Sequence, residues 1–141
     1  MKLAYELPVP MMNVINGGQH AGNELSIQEF LILPMGFDRF SDCLRAGVET
    51  YHTLKKVLAA KYGKIATNVG DEGGYAPPMR MTIQALDAIT EAITAAGYSE
   101  AEIRLGMDAA ASSFFDSKTQ KLSLIHISEP TRLLSISYAV F

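Results

Sequence analysis

The sequence predicts an α/β fold whose elements run in the order ββααβ. Three observations carry that prediction. Two short apolar runs flank a glycine-rich loop near the N-terminus. Two later segments repeat apolar residues at three- and four-residue steps. A last apolar run, from Ile103 to Met107, ends on a carboxylate, Asp108.

The first run is Leu7 to Asn16, closed by Gly17-Gly18, and the second is Ile27 to Leu33, closed by Pro34. Both read as strands, with Pro8 and Pro10 making the first an edge or entry segment. A helix is expected over roughly Ser41–Tyr62. Phe40, Leu44, Val48, Tyr51, Leu54 and Leu58 line one face of it. Asp38, Ser41 and Asp42 are candidate N-caps and Gly63 the stop. Residues 67–78, rich in glycine and proline, form a loop. A second helix follows over roughly Met81–Ala96, with Ile83, Leu86, Ile89 and Ile93 as its apolar stripe and Gly97 closing it. The run Ile103–Asp108 reads as a buried strand.

Composition narrows the class. A chain of 141 residues can bury a core of its own. With 48% apolar and 19% charged residues it is globular in composition, which argues against disorder. Its net charge of −3, with no Lys/Arg cluster, argues against nucleic-acid and membrane-surface partners. The apolar runs are too short for a membrane span. Residues 1–6 carry no signal-like apolar region, so a cytoplasmic location is expected. The single cysteine, Cys43, excludes an intrachain disulfide and a multi-cysteine metal site.

Four places could carry chemistry. His20 sits in a Gly-Gly-Gln-His-Ala-Gly loop, where glycine lets backbone approach a ligand and a histidine can donate to a phosphate or hydroxyl. Taken alone, a loop histidine is more often an incidental solvated side chain. Glu29 interrupts a strongly apolar strand, so it is either paired or turned outward. Asp71-Glu72 lies between Gly70 and Gly73-Gly74, which presents carboxylates into a cleft or forms a flexible acidic loop. Asp108, at the end of a strand, is placed as a catalytic or metal-binding group of an α/β fold or as the N-cap of a following helix. Such oxygen ligands suit Mg²⁺ rather than a thiolate-preferring metal.

These segments together resemble the enolase family. The resemblance rests on Leu7-Pro8-Val9-Pro10-Met11-Met12-Asn13-Val14-Ile15-Asn16-Gly17-Gly18, then His20-Ala21-Gly22-Asn23 and Gln28-Glu29-Phe30. It continues with Asn68-Val69-Gly70-Asp71-Glu72-Gly73-Gly74, Ala76-Pro77, and Gly106-Met107-Asp108-Ala109-Ala110-Ala111-Ser112, and covers about Leu7 to Phe115. It implies a partial TIM-like barrel of enolase type, truncated, whose barrel domain opens ββαα. The family reversibly dehydrates 2-phosphoglycerate to phosphoenolpyruvate with Mg²⁺, using a Lys or His base and Mg²⁺ to stabilise an enediolate, an arrangement general to its superfamily.

By resemblance Glu72 is the proton donor, with its pKa raised by burial or by a like charge that Glu29 could supply. Glu29 and His20 contact substrate, and Asp108 is one of three metal carboxylates. Family membership further implies a homodimer or higher homo-oligomer. The family's other metal ligands, base lysine and mobile serine loop have no match in this sequence, so the chain alone is expected to be inactive. Ser113 stands where many members carry glutamate.

Residues 1–121 thus read as the N-terminal part of the family's barrel domain. Residues 122–141 read differently. Leu122–Arg132 resembles the in-frame translation of a common transposase-based sequencing adapter, and Ile136–Phe141 resembles the adapter's flow-cell end. Leu133-Leu134-Ser135 between them leaves room for a sample index. The segment is therefore expected to be read-through and not part of the fold; otherwise it is a C-terminal hairpin. Two other functions remain open for the whole: a non-catalytic half-barrel binding module, and a superfamily member acting on a different carboxylate.

Overall fold

A computed structural model describes residues 7–18 and 21–122. The element order is β1 (Met12–Asn16), β2 (Glu29–Pro34), α1 (Phe40–Tyr62), α2 (Thr82–Ala95), β3 (Ile103–Asp108), β4 (Phe115–Asp116) and β5 (Lys121–Leu122), with short 3-10 turns at Lys64–Thr67 and Ala111–Phe114. The ββααβ order holds. The hairpin of β4 and β5 was not expected. The segment read as adapter-derived lies outside the described residues, apart from Leu122, which pairs with Phe115.

β1 is shorter than the apolar run that announced it. Pro8 and Pro10 offer no N–H to a ladder, and pairing begins only at Met12. The main sheet has the order β1-β2-β3. Both neighbouring pairs are antiparallel, so β1 and β3 run the same way on either side of a reversed β2. A bulge between Asn13 and Ile15 shifts the β1 register. The alternation of β2 then sorts its side chains. Phe30 and Ile32 are buried toward the helices, while Glu29, Leu31 and Leu33 lie half-buried on the other face. β3 is less buried than expected: Ile103 is buried, but Arg104 and Asp108 are exposed. It is an edge strand covered by helices on one face only.

The helices cover that face. Leu54 and Leu58 of α1 and Ile89, Ala92 and Ile93 of α2 join Val14, Ile15, Phe30, Ile32 and Ile103 in one apolar core. Each large apolar side chain so buried contributes about 1.5–3 kcal/mol. α1 does not present the expected stripe along its full length. Phe40, Leu44 and Val48 are exposed, and Cys43, Ala46, Gly47 and Thr50 are buried instead. The reason is steric. A Cβ on Gly47 would lie 2.2 Å from the Met12 Sδ. The small residues let the helix lie against the sheet, which turns the larger ones outward. Its N-cap is Arg39, without a side-chain hydrogen bond, and none of Asp38, Ser41 or Asp42 serves. Gly63 ends it as expected.

α2 starts where Gln84 Oε1 accepts the backbone N–H groups of Arg80 and Met81, each at 3.0 Å. It ends in a Schellman motif: Tyr98 N–H reaches the Ile93 carbonyl (3.1 Å) and Gly97 N–H that of Thr94 (3.0 Å), with Gly97 at φ +89°. The helices are tied by a Lys61–Glu91 ion pair, and the Tyr98 hydroxyl donates to Glu49 of α1. No helix among the described residues is long and apolar enough to cross a membrane.

Candidate active site

Strand register builds the site's base. Asn16 pairs with Glu29, and Glu29 with Asp108. These three residues therefore stand level at one end of the sheet. Glu29 begins β2, but β2 is reversed, so its start shares an edge with the ends of β1 and β3. Glu29 is half-buried and Asp108 exposed.

The loop that carries Glu72 is fastened over this edge. Tyr75 N–H donates to the Val14 carbonyl (2.9 Å), and Asn16 N–H to that of Tyr75 (2.8 Å). Gly70 N–H closes the loop on the Gly74 carbonyl (2.9 Å). Gly73, at φ +85°, makes a turn that a β-carbon would strain. From α1, the Tyr51 hydroxyl donates to the Gly73 carbonyl (2.7 Å), and its ring stacks on Tyr75 at 4.4 Å. Burial pushes the Tyr75 phenol above its ordinary range. These ties bring Glu72 against Glu29.

The electrostatics follow. The Glu29 carboxyl is pushed above the ordinary glutamate value, first by burial, then by a hydrogen bond with Glu72, then by the negative charges of Glu72 and Asp108. Glu29, expected as the like charge beside Glu72, itself feels an upward push. A carboxyl raised in this way keeps its proton to a higher pH than a free one. Two facing carboxyls place proton-exchanging groups where a substrate would lie.

Asp108 Oδ1 accepts the Ala110 N–H at 2.8 Å. It shapes a local turn and does not cap a helix: the short turn at Ala111–Phe114 starts from Ala110, which is left-handed at φ +45°. As for Mg²⁺, Asp108 offers the hard oxygen such an ion takes. Among the described residues, no three His, Cys, Asp or Glu side chains are grouped to hold a metal ion.

The structure brings Glu29, Glu72 and Asp108 together. It places Asp71 apart, on the wall of an open groove of about 630 Å³ bordered by Asn23, Asn68 and Arg80. Arg80 Nε lies 3.0 Å from Glu24 Oε2 there. Ser113 lines a smaller hollow of about 270 Å³ with Gly18, Gln28 and Phe114. His20 lies outside the described residues.

The sequence gives Asn13, Asn16 and Asn23 no part in the site, and Tyr51 only a place on the apolar face of α1. Asn23 Nδ2 donates to the carbonyls of Asn16 and Pro77, both at 3.0 Å, which joins the glycine-rich loop to the segment after Glu72. Asn16 is fully buried. The one available signal was an asparagine closing an apolar run, where a buried amide needs a reason.

Comparison with known proteins gives the family. The profile of the family described as "Enolase, C-terminal TIM barrel domain" matches residues 4–136. A protein named Enolase from Methanococcoides burtonii is 66% identical over 113 residues, covering 80% of this chain and 27% of its own length. One from Methanopyrus kandleri is 64% identical over 114 residues, again 80% and 27%. One from Methanosarcina barkeri is 51% identical over 127 residues, 90% of this chain and 30% of its own. The chain therefore spans less than a third of the length of these relatives.

Proposed function

The chain belongs to the enolase family, and from that membership we propose that it supplies part of an active site interconverting 2-phosphoglycerate and phosphoenolpyruvate with Mg²⁺. The observation that supports this reading is the meeting of Glu29, Glu72 and Asp108 at one sheet edge. Dehydration needs a proton delivered to the departing hydroxyl, and Glu72 is the donor. Glu29 lies beside it, where it contacts substrate and shares in holding that proton. Asp108 would hold Mg²⁺, which when bound offsets the negative charge that grows on the substrate carboxylate. His20, from the glycine-rich loop, adds a contact to substrate.

The test is a segment exchange. Residues 7–115 replace the matching segment of the Methanococcoides burtonii enolase, and phosphoenolpyruvate formation is followed by absorbance. The exchanged enzyme should turn over. Glu72→Gln in it should cut kcat by about 10²–10⁴-fold, the usual worth of a positioned general acid. A correctly folded but inactive exchange, or a Glu72→Gln variant at full rate, would refute the proposal. The 141-residue chain by itself should show no turnover above its own Glu72→Gln variant in excess Mg²⁺.

A further inference from the structure

We propose that Asn16 is the positioning residue of the carboxyl pair: its carboxamide is the seat on which the Gly70–Gly74 loop rests, and it sets the approach of Glu72 to Glu29. The role deepens the function proposed above and takes its chemical meaning from it.

Asn16 is the last residue of β1 and is fully buried. Its backbone is held on both sides, by the Tyr75 carbonyl at 2.8 Å and by Asn23 Nδ2 at 3.0 Å. Its side chain is aimed under the loop. Asn13 Nδ2 donates to Asn16 Oδ1 at 2.5 Å and orients the amide plane. A β-carbon added to Gly70 would lie 2.4 Å from Asn16 Nδ2. One added to Gly74 would lie 2.3 Å from Asn16 Oδ1 and 2.9 Å from Asn13 Oδ1. The flat amide therefore touches both ends of the loop, and only glycine backbone can come down on it. Among the described residues, Asn16 Nδ2 and Asn13 Oδ1 find no hydrogen-bond partner. Hydrogen bonding does not account for the amide's burial, since Oδ1 accepts one bond and Nδ2 donates none among the described residues. Contact accounts for it. Glu72 sits between the two seated glycines, and Glu29 is the register partner of Asn16. One residue thus fixes both members of the pair relative to each other.

The test is a double-mutant cycle in the 141-residue chain, read by amide hydrogen exchange and by the Glu72 amide resonance. Asn16→Ala should speed exchange at Gly70, Gly73 and Tyr75 about tenfold or more, while Ile89 and Ile93 of α2 stay within about twofold. The Glu72 resonance should move. Gly74→Ala should do the same by collision. In the double variant the alanine at 74 occupies the space Asn16 vacated, so its loss should be no greater than that of either single variant. Summed losses in the double variant, equal acceleration in α2, or an unmoved Glu72 resonance would overturn the proposal. Should Asn16→Ala fail to fold, the double variant decides: recovery of the fold supports the seat, and continued failure refutes it. No substrate or metal enters this assay. An inactive segment exchange would sink the proposed function and leave the seat standing; summed losses would sink the seat alone.

Discussion

Replacing Gly17 by alanine tests what the glycine-rich loop is for. The sequence suggests that its glycines admit a ligand, but the structure gives Gly17 a different task. A β-carbon there would lie 2.2 Å from the Ile27 carbonyl oxygen and 2.7 Å from Leu25 Cβ. Both belong to the return arm of the same loop, and Leu25 is buried. No flexible side-chain end can step aside, so the arms must separate by about 1 Å to restore ordinary contact, and overpacking of this kind costs about 1–3 kcal/mol. Separation also strains the bonds that close the loop, Gly17 N–H to Gln28 O (2.8 Å) and Gly18 N–H to Leu25 O (2.6 Å). Losing one adds about 0.5–1.5 kcal/mol. The expected cost of Gly17→Ala is therefore about 2–4 kcal/mol, a large part of a small domain's stability.

Gly22 is the internal control. It has φ +64° and, among the described residues, nothing within 4 Å of its missing β-carbon. Gly22→Ala should cost only the left-handed backbone penalty, about 1–2 kcal/mol. Urea unfolding of both variants beside the parent chain reads the difference. At an m-value of about 1–3 kcal/mol/M, Gly17→Ala should lower the midpoint by about 1–2 M without changing the slope. A Gly17→Ala variant at least as stable as Gly22→Ala would refute the steric account and return the loop to ligand approach as its reason.

Three further outcomes are expected. The Glu29 pKa is raised in the folded chain, so the fold binds that proton more tightly than the unfolded chain does, and stability is lost as pH climbs from the ordinary value of 4.5 through the raised one. Glu29→Gln should raise stability at pH 7 and flatten this slope in a pH series of urea unfolding; an unchanged slope would refute the pairing. Tyr51→Phe keeps the ring stack on Tyr75 and removes the 2.7 Å bond to Gly73, so it should cost about 0.5–1.5 kcal/mol, and Tyr51→Ala distinctly more. Equal losses would mean the stack contributes nothing. Deleting residues 123–141 should leave thermal stability unchanged or improved; a cooperative loss of about 2–5 kcal/mol, the size of removing a core side chain, would show that they belong to the fold.

The elements were legible where local chemistry decides them. β3 has the expected bounds, and α1 starts one residue early, because periodicity and end signals are written in the chain itself. What failed depends on partners. The buried face of α1 turned on Gly47 lying against Met12, and a hydrophobic pattern counts Phe40 and Leu44 as inward without knowing what they must clear. The two-residue strands of β4 and β5 are too short to show alternation.

The site shows the same division more sharply. Asp-Glu-Gly-Gly was recognisable as an odd acidic turn, and Glu29 as a carboxylate out of place in an apolar strand. Neither fact says that they meet. Their meeting needs β2 to run against its neighbours, so that a residue at its start lies level with residues at the ends of β1 and β3. Had β2 run parallel to them, Glu29 would stand at the opposite edge, a strand's length from Asp108, because a six-residue strand extends about 20 Å. Strand direction is a property of the whole sheet and leaves no mark on a single strand's sequence. The glycines at 70 and 74 and Asn16 have to be read together. Each alone reads as a turn residue or a polar strand end, and only their contact shows that the loop bearing Glu72 has a fixed height above Glu29.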